Sequence, residues 1–151
     1  MIQRIQTVYL ALAIILLVLC CCMPLAHFEP VGMGLPATMY SIVYLSADGG
    51  IQSYLPSILF AIVVITELVL LFALMGYKDR RRQMTYCSFG IILNLVWVVG
   101  FVAISYSLKG DTTIHPTFTV CLPVCAMILT WLARRAIRKD EALVRAADRI
   151  R

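Results

Sequence analysis

Four apolar stretches constrain what this chain can fold into. They span residues 5–26, 55–76, 85–107 and 118–136. Each is close to the roughly 20 helical residues that cross a bilayer core of about 30 Å. They occupy most of the 151 residues, of which 62% are apolar and 14% charged, so no stretch remains that could build a separate soluble core. We therefore predict an all-α membrane protein with four transmembrane helices in a single domain, residues 1–151.

The distribution of positive charge predicts how these helices are oriented. Of the thirteen Lys and Arg residues, one precedes the first stretch, four lie within 78–82, seven lie within 134–151, and only Lys109 lies on the other side. By the positive-inside rule, both termini are then cytoplasmic. Charge segregated in this way favours contact with anionic membrane lipids and argues against nucleic acid as a partner.

The long loop after the first stretch predicts a small outer β-hairpin in 38–54. Residues 39–45 are rich in β-branched and aromatic residues, and the Asp-Gly-Gly at 48–50 is typical of a turn before a second strand at 51–54. A two-stranded hairpin is only marginally stable alone. We therefore expect the short loop near 112–115 to add a further segment.

The C-terminal segment 134–151 is predicted to be a charged helix on the cytoplasmic side. Its apolar residues recur every three or four positions, and Glu141 precedes Arg145 by four, an order that stabilises helices. The pattern fits a straight extension of the fourth helix or a bend onto the membrane surface. It also fits either a stop-transfer extension or a docking helix. Within the fourth helix, Pro123 is expected to cause a kink because it lacks an N–H.

Glu67 is the carboxylate that lies deep in a predicted span, and such groups are costly and often functional. Asn94 lies at a matching depth in the next span, so its amide could hydrogen-bond the carboxyl. One hypothesis is that a neutral Glu67 and Asn94 join the two helices. In that case Glu67→Gln should keep the stability and Glu67→Leu should lose it. A proton or cation relay and contact with a partner subunit are the alternatives.

The cysteines and histidines give no recognisable metal site. All six cysteines lie in or beside apolar stretches, where cysteine usually packs as a small hydrophobe. A bridge between Cys22 and Cys121 is compatible with their outer position. His27 and His115 lie on the same side, but the spacing matches no familiar ligand pattern. We expect no metal and no cofactor.

No catalytic motif supports an enzyme. The chain has no GxSxG, HExxH, P-loop or GxGxxG pattern. Its tryptophans and tyrosines are typical of helix packing and of anchoring at the membrane interface. We therefore expect a non-enzymatic protein.

The two ends of the chain carry a resemblance to a known family. Residues 1–10 read MIQRIQTVYL and run directly into the first span, and residues 134–151 read RRAIRKDEALVRAADRIR. Over essentially its full length the chain resembles a bacterial family of small four-helix membrane proteins, domain-of-unknown-function family 4293. The resemblance implies four helices in the inner membrane and no established activity. It also places the recognisable pattern in the two cytoplasmic ends.

These observations favour an accessory or scaffold subunit that docks a protein partner, or itself, through its cytoplasmic face. The predicted docking surface consists of Arg4, Gln6, Lys139, Asp140, Glu141, Arg145, Asp148 and Arg149. The alternative function is a small transporter or ion-coupled subunit that uses Glu67 and Asn94. A third hypothesis is a redox subunit built on the outer cysteines and histidines. A homo-oligomer is compatible with each of them.

Overall fold

A computed structural model describes residues 2–30, 32, 34–76 and 79–148, with side chains described between 5 and 144. In this part of the chain, four helices are long and apolar enough to cross a membrane, as predicted. They are α1 (Ile2–Cys22), α2 (Ser57–Met75), α3 (Arg80–Leu108) and α4 (Cys121–Asp148), and a short 3-10 helix, Phe118–Val120, precedes α4.

Each helix buries one stripe of residues at three- and four-residue spacing, which is the period of a helix face. Helix α1 packs on α4 and α2, and α3 packs on α2 and α4. Large apolar side chains on the opposite faces are exposed, as expected for helices that cross a membrane. The buried stripes are Leu10, Ala13, Leu17 and Cys20 in α1; Leu59, Val63, Thr66, Leu70 and Ala73 in α2; Cys87, Gly90, Asn94, Trp97 and Phe101 in α3; and Leu122, Ala126, Thr130, Ala133 and Ile137 in α4.

Glycines on α3 set how closely its neighbours approach. A Cβ added at Gly90 would lie 2.9 Å from Leu70 Cδ2 and 3.8 Å from Thr130 Cγ2, so α2 and α4 both pack against this position. A Cβ at Gly100 would lie 3.2 Å from Leu59 Cδ2. The two glycines therefore allow close helix packing, and these contacts fix the register of α2 along α3.

A five-stranded antiparallel sheet covers one end of the bundle, which we call the sheet end. Its strands are β1 (Ala26–Pro30), β2 (Ala37–Met39), β3 (Tyr44–Leu45), β4 (Ile51–Ser53) and β5 (Thr112–Pro116), in the order β4-β3-β2-β1-β5. The residues that it buries are Leu25, Ala26, Phe28, Met39 and Tyr44. The rings of Phe28 and Tyr44 meet edge to face with centroids 5.0 Å apart, an arrangement that aromatic pairs favour.

The predicted hairpin is confirmed in part. Strands β3 and β4 pair across a turn in which Ser46 N–H donates to Gly50 O, and Gly49 adopts the positive φ that such a turn requires. Residues 39–45 do not form one strand, however, because a tight turn in which Tyr40 N–H donates to Val43 O separates β2 from β3.

The predicted further segment near residue 112 is confirmed as β5, and its partner is β1. The first apolar stretch runs to residue 26, but Pro24 predicts that its helix ends near residue 23, and the structure confirms this. Helix α1 ends at Cys22, before Pro24, because proline cannot continue the helical hydrogen bonding. The chain then enters the sheet at Ala26.

Helix α4 runs from Cys121 to Asp148 as one element of 28 residues. The C-terminal segment is therefore a continuation of the fourth span as far as Asp148. A kink was predicted at Pro123. This residue lies in the first turn of α4, where a missing N–H costs little, so the helix continues through it without interruption. The end of the bundle opposite the sheet carries the arginines of α3 and α4, and we call it the basic end.

Candidate functional site

Glu67 lies in the middle of α2, about 12 Å from the helix end at Met75. Its side chain is half-buried, and the Oε1 atom is buried without a hydrogen-bond partner among the described residues. The carboxyl lies on the side of α2 that faces α1, where it interacts electrostatically with the thiols of Cys20 and Cys21. An unsatisfied carboxyl in this position is costly and is not explained by packing.

Asn94 does not hydrogen-bond Glu67, which corrects the predicted interhelical bond. The Asn94 side chain is almost fully buried, and its Nδ2 donates to Gly90 O in the same helix at 3.1 Å. The residue of α2 that lies on the face towards α3 is Thr66, whose hydroxyl donates to Ile62 O at 2.7 Å.

The physical reason is helix rotation. The contacts of Gly90 with Leu70 and of Gly100 with Leu59 place Asn94 near the level of Thr66, so the predicted match in depth is close. Adjacent residues of a helix differ by about 100° around its axis. Glu67 therefore turns away from Asn94 although the two lie at similar depth.

At the basic end, an ion pair holds α4 to the start of α3. Arg80 Nη2 lies 3.2 Å from Asp140 Oδ2, and Arg80 Nη1 donates to Asp140 O at 3.2 Å. Since Arg80 is the first residue of α3, the eight residues from 141 to 148 extend beyond α3. At about 1.5 Å per residue, this projecting end of α4 reaches about 12 Å past its neighbour.

The projecting end presents apolar side chains that the predicted docking surface missed. Leu143 is 52% exposed and Val144 is 44% exposed. Their three-to-four-residue spacing from Lys139 and Asp140 was visible in the sequence. What the pattern did not reveal was that, among the described residues, no neighbouring helix covers them.

The structure assigns the predicted docking residues to different environments. Gln6 is 4% exposed and its Nε2 has no hydrogen-bond partner within the described part of the chain, so it belongs to the helix interior, not to the surface. Asp140 forms an ion pair with Arg80. The side chain of Lys139 is exposed, and that of Glu141 is partly exposed. The side chains of Arg4, Arg145 and Asp148, and the whole of Arg149, lie outside the described residues.

Two grooves at the basic end share Arg134 and Arg138. The groove between α3 and α4 has a volume of about 410 Å³, and the one along α4 has a volume of about 540 Å³. Arg134 Nε is buried and has no hydrogen-bond partner among the residues described. The sequence predicted that these arginines orient the helices and attract anionic lipids, but it did not predict a groove, although their spacing of four indicated that they share a helix face.

At the sheet end, the histidines bond within the sheet. His115 Nε2 lies 3.5 Å from Glu29 Oε2, and His27 Nδ1 lies 3.3 Å from Thr38 Oγ1. All six cysteines fall within the described residues, and each is an unpaired thiol, Cys22 and Cys121 included. Among the described residues, no three His, Cys, Asp or Glu side chains come together as a metal site would require.

Comparison with known families matches residues 2–150 to the family described as Domain of unknown function (DUF4293). This chain belongs to that family, which confirms the resemblance carried by its two ends. No curated protein matches the chain.

Proposed function

We propose that this member of the family is a non-enzymatic accessory or scaffold subunit of the bacterial inner membrane, which docks a partner protein through the projecting end of α4. The observation that carries the proposal is that residues 141–148 extend past the start of α3 and leave Leu143 and Val144 exposed. A helix that offers apolar side chains in this way can enter an apolar groove of another protein.

The orientation follows from the charge distribution. Arginines gather at the basic end, and cytoplasmic loops of membrane proteins carry such an excess. We therefore place the projecting end of α4 in the cytoplasm and the sheet outside. Impermeant maleimide labelling of intact cells tests this. In a background without the six native cysteines, Leu35→Cys should react directly, and Leu143→Cys should react only after permeabilisation. The reverse pattern would overturn the orientation.

A protein partner suits this surface better than adhesion to lipid alone. The projecting end mixes apolar side chains with both signs of charge, including Glu141, whereas helices that lie on anionic membranes are more uniformly basic. The Arg80–Asp140 pair holds α4 at the point where it leaves α3, so the exposed turns are presented in a defined direction. The expected partner therefore has an apolar groove with charged edges.

The test compares the intact protein with a chain truncated after Glu141, purified in mild detergent with whatever binds to it. This truncation keeps Asp140, so the ion pair with Arg80 survives. A combined Leu143→Ser and Val144→Ser variant asks whether the apolar side chains are responsible. Leu35→Ser, at a leucine of the sheet end that is even more exposed, is the control.

The proposal is supported if a partner co-purifies in stoichiometric amount with the intact protein and with the Leu35→Ser control. The same partner should be absent from the truncated chain and from the double variant. A photocrosslinking residue at position 143 should then attach to that partner. A partner that survives in all variants would move the interface to the helices. Crosslinks between two copies of this chain would show a homo-oligomer in place of a separate partner.

An ion-coupled subunit that uses Glu67 and Asn94 is the second candidate function. The unpartnered Glu67 Oε1 favours it, because the carboxyl is not used to join α2 to α3. Intramembrane carboxyls of this kind are common in ion pathways. If this function holds, Glu67→Gln should abolish proton or cation flux into liposomes while leaving assembly intact. Equal flux in the two proteins would refute it.

A further inference from the structure

The groove between α3 and α4 gathers positive charge from two helices. Arg81 comes from the first turn of α3, and Arg134 and Arg138 come from successive turns of α4. Thr85 and Ser88 lie on the α3 wall, and Glu141 lies at the far end. An acidic ligand would therefore sit at the Arg134 side of the groove, away from Glu141.

Arg134 brings to this groove a guanidinium whose Nε donor is not satisfied by the described residues. Its Nε is buried, yet no described residue accepts a hydrogen bond from it. The guanidinium lies near Cys87 of α3, and the Arg134 side chain lines the groove between the two helices. A buried guanidinium donor normally has an acceptor, and a phosphate oxygen supplies one with suitable fork geometry.

The depth of the groove matches the head-group region of a bilayer. Trp131 precedes the arginines by one turn, and Arg135 lies over its ring at 5.8 Å from the centroid. Tryptophan is enriched at membrane interfaces, and arginine extends its charge into the adjoining head groups. Beyond the groove, the Arg80–Asp140 pair marks the start of α3.

Apolar side chains continue the same stripe of α3 towards the middle of the bundle. Ile92 and Leu95 follow Ser88 by four and seven residues, and they are 55% and 54% exposed. In a membrane, this stripe faces the acyl chains of the surrounding lipid. An acyl chain attached to the phosphate would cover it.

We propose that the α3–α4 groove binds the phosphate of an acidic phospholipid in the cytoplasmic leaflet, with Arg134 and Arg138 as its ligands. The inference rests on the membrane insertion and orientation proposed above, but it does not require the protein partner. Truncation after Glu141 leaves the groove arginines in place. It should therefore remove the partner and keep the lipid, which separates failure of one proposal from failure of the other.

Native mass spectrometry of the detergent-purified full chain tests the proposal with phosphatidylglycerol and phosphatidylcholine as probes. The intact protein should retain one phosphatidylglycerol in preference to phosphatidylcholine. Combined Arg134→Gln and Arg138→Gln should weaken its binding by about tenfold or more, since each well-placed arginine adds about 1 kcal/mol of attraction to acidic lipid. Arg82→Gln is the matched control, because Arg82 is 76% exposed and pairs with Asp79 at 2.9 Å, outside the groove.

If the double variant fails to fold, Arg138→Gln alone carries the test, because the Arg138 side chain is exposed. Three results would overturn the proposal. Equal losses in Arg82→Gln and the groove variant would mean diffuse attraction. Equal retention of phosphatidylglycerol and phosphatidylcholine would mean no recognition of acidic head groups. Displacement of the lipid by inorganic phosphate at millimolar concentration would mean a site for a soluble anion.

Discussion

Replacing Glu67 by leucine should stabilise this protein. The Oε1 atom is buried without a partner among the described residues, and Asn94 Nδ2 donates its hydrogen bond to Gly90 O in its own helix. A buried polar group without a partner costs about 1–3 kcal/mol. Leucine has a similar size and no polar atom, so Glu67→Leu should raise the free energy of unfolding by about that amount. The joining hypothesis drawn from the sequence expected a loss instead.

The free energy of unfolding can be measured in mixed micelles by titration with a denaturing detergent. Trp97 is a suitable fluorescence probe, because it is buried and stacks on Phe101 with ring centroids 5.7 Å apart. Glu67→Gln keeps a polar group in the same place, so its free energy of unfolding should change by less than about 0.5 kcal/mol. Leu70→Ala, on the buried face of α2, should lose about 2–5 kcal/mol and so calibrates the assay.

One outcome would refute the reasoning. If Glu67→Leu lowered the free energy of unfolding by about 1 kcal/mol or more while Glu67→Gln did not, the carboxyl must make a hydrogen bond that stabilises the fold. The hypothesis that Glu67 joins two helices would then return, with a partner other than the Nδ2 of Asn94. Lower stability in both variants would instead point to a need for the charged form.

Three further predictions concern packing, the basic end and the sheet. Gly90→Val should cost about 1–3 kcal/mol in the same unfolding assay, because its Cβ would lie 2.9 Å from Leu70 Cδ2, and a shorter side chain at Leu70 should restore part of the loss. A double-mutant cycle with Arg80→Gln and Asp140→Asn should give a coupling energy of about 1 kcal/mol in the free energy of unfolding. Additive losses in the two variants would mean that the ion pair does not stabilise the fold. Burial raises the pKa of Tyr44 above its usual 10.0, so an unfolded sheet ionises this tyrosine first. Its contribution to stability should be complete below pH 10 and decline as the pH rises further. Above pH 10, hydrogen exchange of the sheet should therefore accelerate in the natural protein. The acceleration should be smaller in the Tyr44→Phe variant, which has no group to ionise at this position.

The four helices were predictable because the length of an apolar stretch dominates every other signal in this sequence. The end of α1 could not be predicted from the length of its apolar stretch alone. Residues 23–26 are apolar enough to extend the helix, but Pro24 and the pairing of β1 with β5 override that tendency. Strand β5 lies more than eighty residues further along the chain, as the bond from Thr113 Oγ1 to Glu29 O illustrates. The sequence predicted a further segment near 112–115, but it did not indicate that β1 would be its partner.

The sequence predicted which residues form the candidate sites, but it did not predict how those residues are placed relative to one another. Spacing along a helix gives the depth of Glu67 closely, whereas the face that it occupies depends on how α2 is rotated against α1 and α3. A single residue separates Glu67 from Thr66, which faces α3. In the same way, Asp140 looks like a free surface charge until α3 is found to begin beside it. Rotation and end alignment between helices are tertiary properties, and one sequence records them weakly.

The Arg80–Asp140 pair divides α4 into two parts with separate proposed tasks. Before it, Arg134 and Arg138 line the groove with α3 and would hold a lipid phosphate. After it, Leu143 and Val144 are exposed, with no helix among the described residues covering them, and would meet a protein. Because both parts belong to one helix, a change in how α4 meets α3 must alter both. Asp140→Asn should therefore weaken lipid retention and partner docking together, whereas the groove and end variants should each affect one. A variant at Asp140 that changed neither would mean that the helix holds its direction by apolar packing alone.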